Sequence, residues 1–213
     1  MSGGRLRTLL ARRGVTEIHR PGSRVGVMAL HGGNLERTTD VIAGEVADRT
    51  GASLYAVVQE PPLRHHVPST AFDPAESAAL AAFCAHVDVV ISLHGYGRED
   101  RFWDILCGGS NRDLATHVGS HLRRWLDPRF GVVTDLDAIP PGLRGLHPAN
   151  PVNLPAGGGV QIELPPTVRW NRAARQWSDH LGTPRAPEVA ALIGALSEAV
   201  DSWSGAVVGH SDG

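Results

Sequence analysis

Short apolar runs alternate with helical patterns in the first half of the chain. Residues 24–30 form an apolar run with β-branched members, and apolar residues within 38–49 recur at the spacing of a helix. Residues 53–59 repeat the strand pattern, and Asp73 followed by Pro74 is typical of a helix start. The first half therefore predicts the order strand, helix, strand, helix.

The second half of the chain continues this alternation. Its predicted strands cover residues 87–93, 102–107, 130–134 and 160–164, and its predicted helices cover residues 111–126 and 187–202. A stretch dense in Pro, Gly and Asn, residues 138–159, predicts a long loop that walls or covers an active site, because such loops are uncommon in compact domains without a function. Alternating strands and helices predict an α/β fold with an open, mostly parallel or mixed sheet and helices on both faces.

Length, composition and charge limit the classes of function. A chain of 213 residues with 42% hydrophobic residues is expected to form a single domain over residues 1–213, with loosely ordered ends at 1–22 and 205–213. Its 20 basic and 22 acidic side chains give a net charge of -2, so neither a nucleic acid nor a membrane is an expected partner. The sequence has no signal-peptide or membrane-spanning pattern, and we expect a cytoplasmic protein. The sequence does not predict an oligomeric state.

Two of the predicted strands end in the same tripeptide, Leu-His-Gly. His31 and His94 therefore leave the sheet at equivalent positions, and ligands of open α/β sheets bind in the crevice beyond the carboxyl ends of the strands. Glu36 follows His31 across the Gly32-Gly33 turn, so a tight loop can return its carboxylate to the imidazole. Two histidines and one carboxylate are a usual protein ligand set of a catalytic zinc ion, which keeps a fourth position for water.

A zinc hydrolase also needs a group that transfers a proton. In residues 160–164 apolar side chains alternate with Gln161 and Glu163, which places Glu163 on the face opposite Val160 and Ile162. We expect Glu163 to be the general base, with a structural ion pair as the competing interpretation. The corresponding alternatives for the ligands are hydrogen-bonded structural histidines and, for Glu36, an acidic residue in the first turn of a helix.

Three segments resemble one known family. They are ALHGGNLERTT at residues 29–39, SLHGYGRE at 92–99 and GVQIELPPTVR at 159–169. Their order and spacing resemble the poly-γ-glutamate hydrolases, phage and bacterial enzymes with a zinc-carboxypeptidase-like fold. The resemblance implies Zn²⁺ bound by His31, Glu36 and His94, a catalytic Glu163, and a small or polymeric substrate with γ-linked glutamyl units.

The same resemblance suggests residues that bind the substrate. Residues 64–70 resemble a family segment that lines the cleft, which implies that His66 hydrogen-bonds the substrate or the oxyanion. Asn111 and Arg112 resemble the Asn-Arg pair with which zinc carboxypeptidases hold a terminal carboxylate. Arg169, just beyond the strand of Glu163, is a further candidate for a substrate carboxylate. The competing interpretations are that His66 is an ordinary surface histidine and that the arginines are solvated residues without a ligand.

Three classes of function compete. The first is a zinc hydrolase acting on γ-glutamyl amide bonds or, with the same residues, on another peptide or acyl-amino-acid amide. The second is a non-catalytic metal-binding or ligand-binding protein on the same fold, which is favoured if Glu163 points away from the metal. The third is a metal-free hydrolase using Ser69 and His66, which is disfavoured because Ser69 lies outside a GxSxG motif. The intact set of four residues favours the first.

Overall fold

A mixed seven-stranded sheet forms the centre of the structure, a computed structural model that describes residues 4–179 and 183–204. Its strands are, in chain order, β1 (Val15–Arg20), β2 (Ser23–Gly33), β3 (Ala52–Gln59), β4 (Val89–Gly95), β5 (Asp104–Cys107), β6 (Gly131–Val133) and β7 (Gly159–Leu164). Two short strands, β8 (Trp170–Asn171) and β9 (Gln176–Trp177), pair separately. The helices are α1 (Arg5–Leu10), α2 (Thr39–Thr50), α3 (Ala78–His86), α4 (Arg112–Trp125), α5 (Pro166–Arg169) and α6 (Pro187–Asp201).

The order of strands across the sheet is β1-β3-β2-β4-β7-β5-β6. Strands β3, β2, β4 and β7 are parallel, β1 and β5 join this group antiparallel, and β6 is parallel to β5. Every residue of β7 is buried, and so is β4 up to its last residue, as expected for strands covered on both faces. The predicted α/β fold with a mostly parallel or mixed sheet is confirmed.

Helices cover both faces of this sheet. On one face α2, α4 and α6 form a layer around buried residues such as Ile42, Val118 and Leu192. On the other face α1 and α3 contribute Leu6 and Phe83 to a second apolar layer. Burial on both sides fixes the sheet firmly enough to position side chains at its edge.

None of the helices in the described residues is long and apolar enough to cross a membrane.

The first described residues belong to this fold, in contrast to the loosely ordered segment expected for residues 1–22. Leu6 and Leu9 of α1 are 0% and 2% exposed, and β1 pairs along its whole length with β3. A six-residue helix leaves too short a pattern for recognition from periodicity. The other expected loose end, residues 205–213, lies outside the described residues.

The start of α3 also differs from the prediction. Asp73 and Pro74 begin only a 3₁₀ turn, Pro74–Glu76, in which the Asp73 side chain accepts a hydrogen bond from the Ala75 amide. The helix itself begins at Ala78, because the Ser77 hydroxyl caps it by accepting from the Leu80 amide. Two capping residues four positions apart therefore divide one predicted helix into a turn and a helix.

Candidate metal centre and active site

Three parallel neighbours deliver polar side chains to one end of the sheet. His94 near the end of β4 stands directly opposite Glu163 of β7 in the strand ladder, so both side chains lie on the same face. His31 lies near the end of β2, where the register with β3 shifts between Ala29 and Gly32. Such irregularities redirect a side chain, and here the His31 ring lies 5.2 Å from the His94 ring. The strand-end argument thus brings His31, His94 and Glu163 together.

The turn after β2 returns Glu36 to the two imidazoles. Gly33 adopts φ +67 and passes so close to Gln59 that an added Cβ would meet its backbone oxygen, which explains glycine at this position. Asp40 accepts a hydrogen bond from the Gly33 amide at 2.9 Å. The Glu36 amide in turn donates to the His31 carbonyl at 2.8 Å. Backbone and side-chain hydrogen bonds therefore fix the loop that carries Glu36.

The Glu36 carboxylate lies between the two imidazoles. Its Oε1 is 2.8 Å from His31 Nδ1, and its Oε2 is 3.4 Å from His94 Nδ1. The Gly95 amide donates to Oε2 at 2.9 Å. One ligand atom from each of His31, Glu36 and His94 lies within 4.8 Å of the others. Among the described residues, these three form the one group of His, Cys, Asp or Glu side chains that could hold a metal ion. The three residues predicted as ligands are thus close enough to hold one metal ion.

The outer nitrogens of both imidazoles have partners. His31 Nε2 lies 2.8 Å from the Val67 carbonyl, which can only accept a hydrogen bond, so Nε2 carries the proton. In neutral His31 the Nδ1 lone pair then faces the Glu36 carboxylate. Ser92 Oγ lies 3.1 Å from His94 Nε2 and orients that ring in the same way. The two imidazoles and the carboxylate turned toward one another form a nitrogen and oxygen donor set, which suits zinc better than magnesium or calcium, since those ions favour oxygen ligands.

The electrostatics of the site follow from burial and from these contacts. Burial alone would raise the pKa of Glu36, but His31 and His94 hold it below its usual value. Burial alone would lower the pKa of His94, whereas Glu36 raises it. Burial raises the pKa of Glu163 to about 6, against the attraction of His94. Glu163 is therefore the carboxylate in this site that takes up a proton most readily.

A chain of amides holds the Glu163 side chain. Gln161 Nε2 donates to Glu163 Oε1 at 2.9 Å, and Asn150 Nδ2 donates to Gln161 Oε1 at 2.8 Å. All three residues are buried. Sequence reasoning missed Gln161 and Asn150, although Gln161 sits two positions before Glu163 and so shares its face of the strand. It also missed the Val67 carbonyl and Ser92.

A cleft of ≈ 260 Å³ opens beside Glu36 and is lined by arginines and aromatic residues. Arg169 lies in it with 4% exposure, and its Nη1 donates to the Arg37 carbonyl at 2.7 Å. The guanidinium carbon is 5.1 Å from the centre of the Trp177 ring. Burial lowers the pKa of Arg169 to about 10, and its Nε has no hydrogen-bond partner among the described residues. A buried guanidinium with an unused donor suits a carboxylate ligand.

His66 is exposed at the mouth of the site. Its ring lies 5.0 Å from that of His31, and partial burial together with His31 lowers the pKa of His66. No hydrogen bond joins Ser69 to His66 among the described residues, so the metal-free alternative has no geometric support. His66 is placed where it can contact a substrate that approaches the three ligands.

Asn111 and Arg112, the residues expected to bind the substrate, are not among the residues that line the cleft. Asn111 caps α4 by accepting from the Leu114 amide, and it donates to the Gly157 carbonyl. Arg112 donates to three carbonyls, those of Cys107, Gly109 and Thr134. Both side chains are therefore occupied by backbone groups around the start of α4.

The long loop, residues 138–159, is a support rather than a wall of the cleft. It includes the 3₁₀ turns Pro141–Leu143 and Pro151–Asn153, and none of its residues lines the cleft. Val152 is buried in the layer formed with α1 and α3. Through Asn150 and Gln161 the loop reaches Glu163 only indirectly.

A Burkholderia mallei protein assigned as a carboxypeptidase shares this fold with a TM-score of 0.50 at 14% identity, covering 93% of this chain and 66% of that one. This fold is that of the zinc-carboxypeptidase-like class. Within this class, the chain belongs to the poly-gamma-glutamate hydrolase family, whose sequence model matches residues 12–177. The family resemblance seen in the sequence is confirmed.

Individual relatives agree with this assignment. A bacteriophage poly-gamma-glutamate hydrolase shares the fold with a TM-score of 0.74 at 24% identity, with 87% of each chain covered. Zinc-free YndL gives a TM-score of 0.69 at 24% identity over 89% of this chain and 90% of that one. The SPbeta prophage-derived protein YoqZ of Bacillus subtilis is 35% identical over 143 residues, 66% of this chain and 48% of YoqZ. The chain spans about half the length of the curated relatives that it matches.

Proposed function

We propose that this chain is a zinc-dependent hydrolase that cleaves γ-glutamyl amide bonds. The observation that carries the proposal is the position of Glu163, opposite His94 in the ladder and beside the group of His31, Glu36 and His94. Family membership supports the substrate class. The position of Glu163 also argues against the alternative of a non-catalytic binding protein.

Zinc would be held by the Nδ1 atoms of His31 and His94 and by the Glu36 carboxylate. When bound, the ion supplies Lewis acidity, which polarises the scissile carbonyl and lowers the pKa of water. Val67 and Ser92 fix the ring orientations, and the Gly95 amide fixes the carboxylate. The ligand set is thus organised by its surroundings before any metal binds.

Glu163 is proposed to transfer the proton. Its carboxylate takes a proton from the attacking water and delivers it to the leaving nitrogen, because an amide nitrogen departs poorly without one. A pKa raised to about 6 by burial favours both halves of this transfer. Gln161 keeps the carboxylate in one orientation throughout.

Arg169 and His66 are proposed to bind the substrate. The guanidinium of the buried Arg169 pairs with a glutamyl carboxylate inside the cleft, where the low dielectric strengthens the pair. His66 hydrogen-bonds the substrate from the exposed side of His31.

The test compares wild type with Glu163→Gln and with Glu60→Gln, an exposed control that loses the same charge. Hydrolysis of poly-γ-glutamate, a γ-glutamyl dipeptide and α-linked polyglutamate is measured together with zinc content. We expect cleavage of the γ-linked substrates, a fall in turnover of roughly a hundredfold to ten-thousandfold for Glu163→Gln, and unchanged zinc in all three proteins.

Two results would overturn parts of this proposal. Near-normal turnover of Glu163→Gln would exclude Glu163 as the base, and loss of zinc with activity would make it a ligand. A zinc-loaded wild type that cleaves neither γ-linked substrate would exclude the substrate class.

A further inference from the structure

A second groove of ≈ 420 Å³ lies beside the cleft, on the outer side of the segment that contacts His31. Arg5 and Arg12 line it from the N-terminal region, opposite Arg64 and His66. Arg64 lines the cleft as well as the groove, so the two concavities meet at this side chain. A ligand that leaves the cleft past Arg64 enters this groove.

The groove is rich in positive charge that has no partner. Arg5, Arg12 and Arg64 are exposed, and none of them forms an ion pair within the described part of the chain. Other exposed arginines do, as Arg20 does with Asp48. Three arginines that line one groove, with no carboxylate among its lining residues, favour the binding of anions there.

The contacts around these arginines strengthen this interpretation. Arg12 Nη1 lies 3.2 Å from His65 Nε2, so the hydrogen-bond partner of this guanidinium is an imidazole and not a carboxylate. The carboxylate of Glu76 near α1 accepts from the Arg7 amide and does not line the groove. The net charge of -2 gives the whole protein no attraction for a polyanion, so any attraction has to be local.

We propose that Arg5, Arg12 and Arg64 form a subsite that binds the α-carboxylates of glutamyl units beyond those in the cleft. This inference rests on the proposed function, since it assigns a polymeric rather than a short substrate to the same site. Arg5 precedes residue 12, the first that the family model matches, whereas Arg12 and Arg64 lie within the matched range. Each γ-linked unit carries one free carboxylate, and guanidinium groups pair with carboxylates through charge-assisted hydrogen bonds.

The experiment compares the double variant Arg5→Gln/Arg12→Gln with wild type on poly-γ-glutamate and on a γ-glutamyl dipeptide. Arg13→Gln/Arg175→Gln is the matched control, since both residues are exposed, lack an ion pair within the described residues and lie outside the groove. We expect the groove variant to raise KM for the polymer roughly threefold to thirtyfold, and more than KM for the dipeptide. Added salt should raise KM of wild type for the polymer more than KM of the variant.

Binding is measured separately, so that the subsite and the proposed activity can fail independently. Calorimetry follows poly-γ-glutamate binding to Glu163→Gln with and without the groove substitutions. If wild type cleaves the polymer but the groove variant has an unchanged KM, the subsite is excluded while the activity stands. If wild type does not cleave it but binding depends on Arg5 and Arg12, the activity fails and the subsite stands. If the control pair raised KM for the polymer as much as the groove variant does, the effect would come from the loss of net positive charge, and the subsite would be excluded.

Discussion

The Glu36 carboxylate is the residue on which the candidate metal centre depends. It faces His31 with one oxygen and His94 and the Gly95 amide with the other. A buried carboxylate between two imidazoles is stable only when positive charge offsets it, whether from protons or from a metal ion. The site therefore couples the protonation of its histidines to the presence of a cation.

We expect His94→Ala to lose zinc, because two remaining protein ligands hold the ion weakly. Elemental analysis after gel filtration should give about one zinc per chain for wild type and close to none for the variant. His147→Ala replaces an exposed histidine and is expected to keep the full zinc content. Full zinc occupancy in His94→Ala would show that His94 is not a ligand.

Most of this residue-level arrangement could be predicted from the sequence, because two repeated tripeptides at strand ends restrict where the imidazoles can point. The groups that orient the ligands and Glu163 could not be predicted. Val67 contributes a backbone carbonyl, which carries no residue-type signal, and Asn150 reaches Gln161 from a loop whose path has no periodicity. Arg112 was predicted to bind substrate because its residue type fits a carboxylate, whereas its guanidinium donates to three backbone carbonyls.

At the level of elements, Arg112 links the start of α4 to the ends of two strands. Its guanidinium donates to carbonyls at Cys107, at Gly109 and, after β6, at Thr134. The order of the strands across the sheet was not predicted either, because β7 lies between β4 and β5 although it follows both in the chain. Such non-local pairing is invisible to patterns of period 2 or 3.6.

We expect Arg112→Ala to destabilise the protein without affecting its zinc content or its KM. Three carbonyls lose their donor, which costs about 1–3 kcal/mol in free energy of unfolding. Denaturant unfolding measures this loss, with Arg13→Ala as an exposed control that should change little. A higher KM with unchanged stability would restore the substrate-binding role expected from the sequence.

At the level of the whole molecule, the two faces of the sheet are closed by different parts of the chain. One layer is completed by α6 near the carboxyl end, and the other by α1 near the amino end. Both ends of the described chain therefore contribute to one packed unit around the sheet. The sequence indicated α6 through its long apolar stripe, whereas α1 was too short to be recognised.

We expect Leu6→Ala to lower the free energy of unfolding by about 2–5 kcal/mol, the usual cost of a cavity at a fully buried leucine. Thermal or denaturant unfolding checks this value. Leu146→Ala, at a residue that is 43% exposed, serves as the control and should have a small effect. An unchanged stability of Leu6→Ala would mean that the first residues are loosely ordered after all.

The contact between Arg169 and Trp177 links intrinsic tryptophan fluorescence to the charge inside the cleft. The emission of an indole responds to nearby charge, and the guanidinium lies 5.1 Å from this ring inside the cleft. A carboxylate that pairs with Arg169 neutralises that charge and changes the light emitted by Trp177. We therefore expect ligands that enter the cleft, including those that are never cleaved, to change the tryptophan emission of the protein, to which five tryptophans contribute.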